Sequence, residues 1–324
     1  MTTLTEIIDI INQAKTIAIM GHKYPDGDSF GSLFALGTYL ENIGKKVTYY
    51  CDNRDIKPYF QFIFPVKKLK YAKFKPSKFD LLIAVDSSSP NRLGIHEDSF
   101  TKHKNTLVID HHIQQEQWSK YIYFDEKRAS NCENVYSLLT IANAEITPDI
   151  ATYLYLGVSS DTGSFKHYNT NQNCFTVASK LLEYGADIHK VNDYLYRYYT
   201  SSQIQTEKFI LNNLVINSNF AYVIITMKDL DEMRANKGDV SMHSDKLISF
   251  AGIDLGIIAT ETKPNYFDLS MRSSEKVNVQ EIAVKNGGGG HKRAAGCNYE
   301  GTKEDLIKFI NQLFMEIKLW MELY

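Results

Sequence analysis

The sequence predicts an α/β protein: an N-terminal, mostly parallel sheet with helices on both faces, then a smaller C-terminal α/β domain. Three observations carry that expectation. Short apolar runs alternate with helix-length amphipathic stretches through the first half. Acidic or imidazole side chains stand directly after those runs, as at His22, Asp86 and Asp110. Beyond a polar helical stretch at residues 187–214, a second set of strand-like runs begins.

The elements follow in order. Thr16–Met20 reads as a buried strand that enters the loop Gly21–Asp28, and Ser29 opens an apolar-periodic helix to about Ile43. Gly44 is a natural helix stop. Val47–Cys51, Leu81–Val85 and Thr106–Ile109 are further strands, and Ser130–Ala142 and Ile150–Ser160 are helices. Strand, helix, strand at this spacing implies parallel pairing with both faces covered. In such sheets, sites form outside the carboxyl ends of the strands. After the linker, Ala221–Thr226, Gly256–Thr260 and Tyr266–Met271 read as strands, Val279–Lys285 as a short helix and Lys303–Tyr324 as an amphipathic closing helix. The expected division is a first domain at 1–186, a helical linker at 187–214 and a second domain at 215–324.

Composition narrows the class. With 324 residues, 44% hydrophobic and 23% charged, the chain has material for two cores. Cys51, Cys132, Cys174 and Cys297 lack CxxC spacing, which fits reduced thiols in a cytoplasmic protein. Glu6 and Asp9 interrupt the first apolar residues, so no secretory signal is expected, and the apolar runs are too short to span a bilayer. Residues 1–214 carry 23 Lys+Arg against 23 Asp+Glu, and residues 215–324 carry 13 against 15. Neither part has the basic excess of a protein that grips long nucleic acid. The lysines at 67, 68, 70, 73, 75 and 78 read as a solvated connection.

Four segments carry the chemistry. His22-x3-Asp26-x-Asp28 offers one nitrogen and two carboxylates from a Pro-Asp-Gly turn, and residues two apart would address two different metal ions. Asp86 follows the strand Leu81–Val85 and, with two oxygens, would bridge both ions. Asp110-His111-His112 ends another apolar run, and Asp161 stands in Ser160-Asp161-Thr-Gly163. His111 and Asp161 would complete the ligand set. Mixed imidazole and carboxylate donors favour manganese, iron, zinc or cobalt over calcium or magnesium. Asp26, Asp28, Asp86 and Asp161 sum to −4, which two divalent ions cancel. An incoming phosphate then needs further cations, and the second domain offers Arg272, His291, Lys292 and Arg293. Gly287–Gly290 would expose backbone N–H groups to an anion. His96, His103, His167, His189 and His243 lack acidic partners at ligand spacing and read as surface or core residues.

On these residues the chain resembles the DHH phosphoesterases that carry a C-terminal DHHA1 domain. Asp110-His111-His112 is the name-giving motif, and His22–Asp28, Asp86 and Asp161-Thr-Gly163 match the others. Gly288-Gly-Gly-His291 with Ala295-Gly296 matches the DHHA1 signature. Length and domain order resemble the nanoRNase/pAp-phosphatase subgroup, whose members act with manganese. The resemblance implies one metal on His22, Asp26 and Asp86, and another on Asp28, Asp86, His111 and Asp161. It implies that His112 faces the substrate phosphate or leaving oxygen, that Asp110 orients His111, and that Asp86, Asp110 and His112 form the catalytic group. It further implies substrate binding by Arg272, Ser273, Gly288, Gly289, Gly290, His291 and Arg293. Tyr24 stands where many members have Asn, and Ser89 where a second Asp is common.

The implied activity is two-metal hydrolysis of short oligonucleotides and of 3′-phosphoadenosine 5′-phosphate (pAp). Short oligonucleotides or small bisphosphorylated nucleotides are the expected partners, without long nucleic acid or membrane; homodimerisation stays open. Three alternatives stand beside it: a cyclic di-AMP or pApA phosphodiesterase, a manganese pyrophosphatase, and a non-catalytic nucleotide sensor. The pyrophosphatases carry a Ser-Arg-Lys-Lys segment where this chain has Met271-Arg-Ser-Ser274.

Overall fold

A computed structural model describes residues 2–52, 56, 60–112 and 117–323. The chain forms two compact units, Met1–Tyr198 and Tyr199–Tyr324.

The first unit is built on six strands: β1 Thr16–Met20, β2 Lys46–Tyr50, β3 Leu69–Lys70, β4 Leu81–Val85, β5 Thr106–Asp110 and β6 Tyr121–Phe124. Their order across the sheet is β3-β2-β1-β4-β5-β6, and every pair is parallel. The order reverses between β1 and β4. A doubly wound sheet opens a crevice at such a switch point, outside the carboxyl ends of the strands. β1 leads into His22 and β4 into Asp86, so those two groups meet at the crevice.

Burial on both faces explains why β1, β4 and β5 read as continuous apolar runs. On one face, Ile17, Ile19, Ile83, Leu107 and Ile109 pack with α1 Leu4–Gln13, α2 Gly27–Asn42, α3 Asn131–Ile141, α4 Pro148–Asp161 and α5 Gln172–Glu183. On the other, Ala18, Met20, Leu82, Ala84 and Val108 meet Leu93, Phe100, Phe74 and Trp118. Those come from a 3₁₀ segment, Pro90–His96, a five-residue helix, Glu97–Thr101, and loops. The expected covering on both faces is present, but the long helices gather on one side.

The helices α2 and α4 approach closely because small residues line their contact. A Cβ on Gly31 would stand 2.5 Å from the Tyr153 carbonyl oxygen, and one on Gly157 would stand 2.8 Å from Asp28 Oδ1. This approach brings Asp28, in the first turn of α2, towards Asp161, the last residue of α4.

The second unit holds a mixed sheet of β7 Val215–Asn217, β8 Phe220–Ile225, β9 Leu255–Lys263, β10 Tyr266–Ser273, β11 Gly289–His291 and β12 Ala294–Glu300. Its order is β11-β12-β10-β9-β8-β7, with only β8 and β9 parallel. The helices α7 Val279–Lys285 and α8 Lys303–Leu323 cover one face, where Phe220, Ile257 and Leu269 meet Leu306 and Ile310. α6 Ser201–Asn213 sends Ile210 to the opposite face, against Val223 and Ile258.

Within the helical stretch 187–214, the boundary between the two compact units falls between Tyr198 and Tyr199. Val191 belongs to the first core and Ile210 to the second, and each half buries its apolar side at home. In the glycine run, Gly289 and Gly290 pair with Gly296 and Ala295 in β11–β12. The lysines from 67 to 78 are exposed, and Lys68 pairs with Glu41 at 2.7 Å, as a solvated connection should.

Candidate metal centre

The centre is assembled from four segment ends of the first unit. Asp26 is the N-cap of α2, and its Oδ1 accepts from the N–H groups of Asp28 and Ser29 at 3.1 and 3.0 Å. Its Oδ2 lies 3.6 Å from His22 Nε2. Helix cap and ligand are therefore not alternatives here, since one carboxylate offers an oxygen to each. Asp28 is fully buried, and its two oxygens accept from the N–H groups of Asn131 and Cys132 at 2.5 and 2.9 Å. The positive end of α3 thereby stabilises the Asp28 carboxylate.

Asp86 occupies the middle. Its backbone is left-handed, at φ 53, a region that Asp tolerates better than most residues. This turn after β4 puts Oδ2 3.5 Å from His22 Nε2, and Oδ1 3.5 Å from His111 Nε2. His111 Nε2 is also 3.6 Å from Asp28 Oδ2 and 3.5 Å from Asp161 Oδ2. The two oxygens of Asp86 thus face two different ligand groups.

These separations test whether the residues fit metal ions. Asp86 Oδ1 and His111 Nε2 are buried without a hydrogen-bond partner among the described residues. Two ligands held about 2.1 Å from one ion stand roughly 3–3.5 Å apart. His22, Asp26 and Asp86 offer atoms within 4.8 Å of one another, as do Asp28, His111 and Asp161. The gaps are too wide for good hydrogen bonds and suited to a shared cation. The donor set fits divalent metal.

The structure corrects one part of the expected roles. Asp110 Oδ1 accepts from the backbone N–H of His111 at 2.8 Å and pairs with His112 Nδ1 at 2.9 Å. It therefore orients the His112 ring. The His111 ring is oriented by the carbonyl of Arg128, 3.2 Å from Nδ1. Residue type gives no signal for Arg128 in this role, because it acts through its backbone carbonyl in the turn before the helix start at Ser130. Asp161 differs from the other candidate ligands in ending a helix.

Among the remaining histidines, His103 bonds the carbonyls of Asn105 and Phe79, and His167 Nδ1 meets the carbonyl of Asp161 at 3.2 Å. His96 and His243 are buried in the cores, and burial lowers the pKa of both.

Protonation reflects four carboxylates in one place. Burial alone would lower His22, but the carboxylates of Asp26 and Asp86 overcome it and raise the pKa to about 9. His111, also disfavoured by burial, is raised to about 11 by Asp86, Asp28 and Asp161. Burial and the charge of Asp86 raise Asp28 to about 7. Burial and the charges of Asp28 and Asp26 push Asp161 well up. Burial would raise Asp86 too, but the two imidazoles hold it well below the usual carboxylate range.

A pH dependence follows for the ion-free protein. The folded pKa of His22 lies above its ordinary 6.5, so its stabilising contribution is complete below that value and is lost as pH rises through about 9. His111 adds a loss of the same sign that extends to about 11. Chelated protein should therefore melt at progressively lower temperature from pH 6.5 to about 9. Saturating Mn²⁺ should flatten the trend, because the ions take the place of the protons. Differential scanning fluorimetry across that range reads both curves, and a flat chelated curve would contradict the charge assignment.

In the second unit, Arg272, Gly288, Gly289 and Gly290 line one open pocket of about 430 Å³ with Ser270 and Lys237. Arg272 is held by Asp245, whose Oδ1 accepts from Nε at 2.8 Å. Gly288 has no room for a side chain, since a Cβ would stand 2.1 Å from the Gly296 carbonyl oxygen. A Cβ on Gly289 would meet nothing within 4 Å. Ser273 does not join this group. It lies next to Arg272 on β10 and so faces the other side of the sheet, buried, its hydroxyl donating to the Val277 carbonyl at 2.7 Å. His291 is exposed on β11, and Arg293 Nη2 donates to Glu275 at 2.8 Å. Neither is among the residues lining the pocket.

Among the described residues, no helix is long and apolar enough to cross a membrane.

Comparisons with known proteins find both domains. The model of the DHH family, N-terminal domain, matches residues 16–158, and that of the DHHA1 domain matches residues 217–316. The chain is 27% identical over 307 residues to the bifunctional oligoribonuclease and PAP phosphatase NrnA of Mycoplasma genitalium, covering 93% of this chain and 94% of that protein. It is also 27% identical over 309 residues to the cyclic-di-AMP phosphodiesterase GdpP of Bacillus subtilis, covering 90% of this chain and 46% of that protein. Among solved structures, an exopolyphosphatase-related protein from Bacteroides fragilis superposes with a TM-score of 0.91 at 22% identity, over 98% of this chain and 97% of the other. Motifs, ligand geometry and matches to both domains converge: the chain belongs to the DHH/DHHA1 family and is one of its metal-dependent phosphoesterases.

Proposed function

We propose that the protein is a two-ion phosphohydrolase that removes phosphate from pAp and degrades short oligonucleotides. The observation that carries this reading is Asp86, whose two oxygens address two ligand groups at the sheet's switch point. The near full-length likeness to NrnA supports the substrate class.

His22, Asp26 and Asp86 would hold one ion, and Asp28, Asp86, His111 and Asp161 the other. Manganese suits these mixed donors. When bound, the ions would offset the phosphate charge and lower the pKa of the attacking water. The protein's own groups do the rest. Asp110 keeps Nδ1 of His112 engaged at 2.9 Å and so directs the opposite ring nitrogen away from itself. Burial would lower the His112 pKa, but the bond and charge of Asp110 raise it. His112 is thus suited to donate a proton to the leaving oxygen. Arg272, which lines the pocket of the second unit with Gly288, Gly289 and Gly290, would bind a nucleotide phosphate.

A second reading, a phosphodiesterase acting on cyclic di-AMP or pApA, is favoured by the likeness to GdpP. One assay panel separates the readings. Purified protein with Mn²⁺ is offered pAp, short RNA, cyclic di-AMP and pyrophosphate. Turnover of pAp and short RNA is expected; preference for cyclic di-AMP would select the second reading, and nucleotide binding with no turnover would reject both. Arg272→Ala should raise KM for pAp about tenfold with kcat nearly kept, as loss of a charged hydrogen bond to bound phosphate would. Steady-state kinetics check this, and an unchanged KM would remove Arg272 from the substrate site. A cytoplasmic location accompanies this reading.

A further inference from the structure

We propose that Glu133 and Asn169 are positioning residues that fix the metal ligands His111 and Asp161 from behind. The inference rests on the two-ion reading above.

The segment Asn169-Thr-Asn171-Gln-Asn173 places three carboxamides at alternate positions. Each reaches the neighbourhood of the turn at residues 125–130. Asn169 Nδ2 donates to the Ala129 carbonyl at 3.1 Å and Asn171 Nδ2 to the Lys127 carbonyl at 3.2 Å. Asn173 Nδ2 donates to Glu133 Oε2. Glu133 is itself fully buried. Its Oε1 accepts from the Ala129 N–H at 2.9 Å and from Cys174 Sγ at 3.5 Å, and Arg128 Nη1 lies 3.8 Å from Oε2. A carboxylate is buried at high cost unless donors converge on it. Here they converge on a turn that has no chemistry of its own.

The turn matters because of what its carbonyls face. Arg128 O takes His111 Nδ1–H at 3.2 Å, which sets the tautomer and leaves the lone pair of Nε2 for a cation. The carboxamide nitrogen that grips Ala129 O also donates to the Asp161 carbonyl at 3.1 Å. Asp161 ends α4, so its carbonyl lacks a partner within the helix. Asn169 therefore ties the turn behind His111 to the backbone of Asp161, and the two side chains face each other at 3.5 Å, from Nε2 to Oδ2. His22 and Asp26 arise from the loop after β1 and take no hydrogen bond from these asparagines among the described residues. The ladder thus serves one ligand group and not the other.

The test is Mn²⁺ titration of wild-type, Asn169→Ala and Glu133→Gln protein, with free Mn²⁺ read by electron paramagnetic resonance and stability read by melting in chelator. Wild-type protein should bind in two steps. Both variants should weaken one step by about 10–100-fold and leave the other within twofold. Asn169 is exposed, so Asn169→Ala should melt near wild type; if Glu133→Gln fails to fold, Asn169→Ala decides alone. Two unaltered steps in Asn169→Ala would overturn the inference. Equal weakening of both steps would overturn it too, since that is the mark of general loosening. Wild-type protein that binds no Mn²⁺ would instead defeat the two-ion reading.

Discussion

Asp86→Asn should leave a folded protein whose Mn²⁺-dependent turnover is down by at least about 10³-fold, because several kcal/mol of transition-state stabilisation depend on both ions. Asn keeps the side-chain volume and accepts the left-handed backbone at φ 53 as readily as Asp does. It cannot offer two anionic oxygens to His22 and His111, each now 3.5 Å away. Removing any other carboxylate touches one ligand group; removing this one touches both. The measurement is kcat on pAp at saturating Mn²⁺, with circular dichroism as the check on folding. A folded variant with near-normal turnover would end the bridging scheme.

Gly157→Ala should destabilise the first unit by roughly 1–3 kcal/mol, as overpacking of a filled core does. The added Cβ would stand 2.1 Å from Cys132 Sγ and 2.8 Å from Asp28 Oδ1. One methyl group therefore presses on the helix contact and on the candidate ligand Asp28 together. For a unit of this size that corresponds to a loss of about 2–12 °C in Tm. Cys132→Ala in the same chain should recover much of the stability by vacating the sulfur's place. It should not restore Mn²⁺ affinity, because the contact with Asp28 remains. Calorimetric melting and Mn²⁺ titration of the single and double variants read the two effects separately. A Gly157→Ala protein that melts and binds like wild type would show that the helices part without strain.

Much of the architecture was legible in the chain. Thr16–Met20, Leu81–Val85 and Thr106–Asp110 are strands because continuous apolar runs of that length suit a sheet buried on both faces. The edge strands Leu69–Lys70 and Tyr121–Phe124 are too short, at two and four residues, to stand out in the sequence. The polar stretch 187–214 has no apolar signature for the boundary at Tyr198, which depends on which core each half finds.

The site divides in the same way. Residue types and spacing alone single out His22, Asp26, Asp28, Asp86, His111 and Asp161 as candidate ligands, because few other tasks gather four carboxylates and two imidazoles at segment ends. Only the tertiary structure decided how each is held. That Asp110 turns to His112 rather than to the His111 ring depends on a backbone bend after β5. That Asp28 rests on the first N–H groups of α3 depends on a contact over a hundred residues long in sequence. That Ser273 turns away from Arg272 depends on the pleat of β10. Ligand identity is a property of side-chain chemistry and can be read along the chain. Ligand orientation is set by distant backbone groups, and those meet only when the chain is folded.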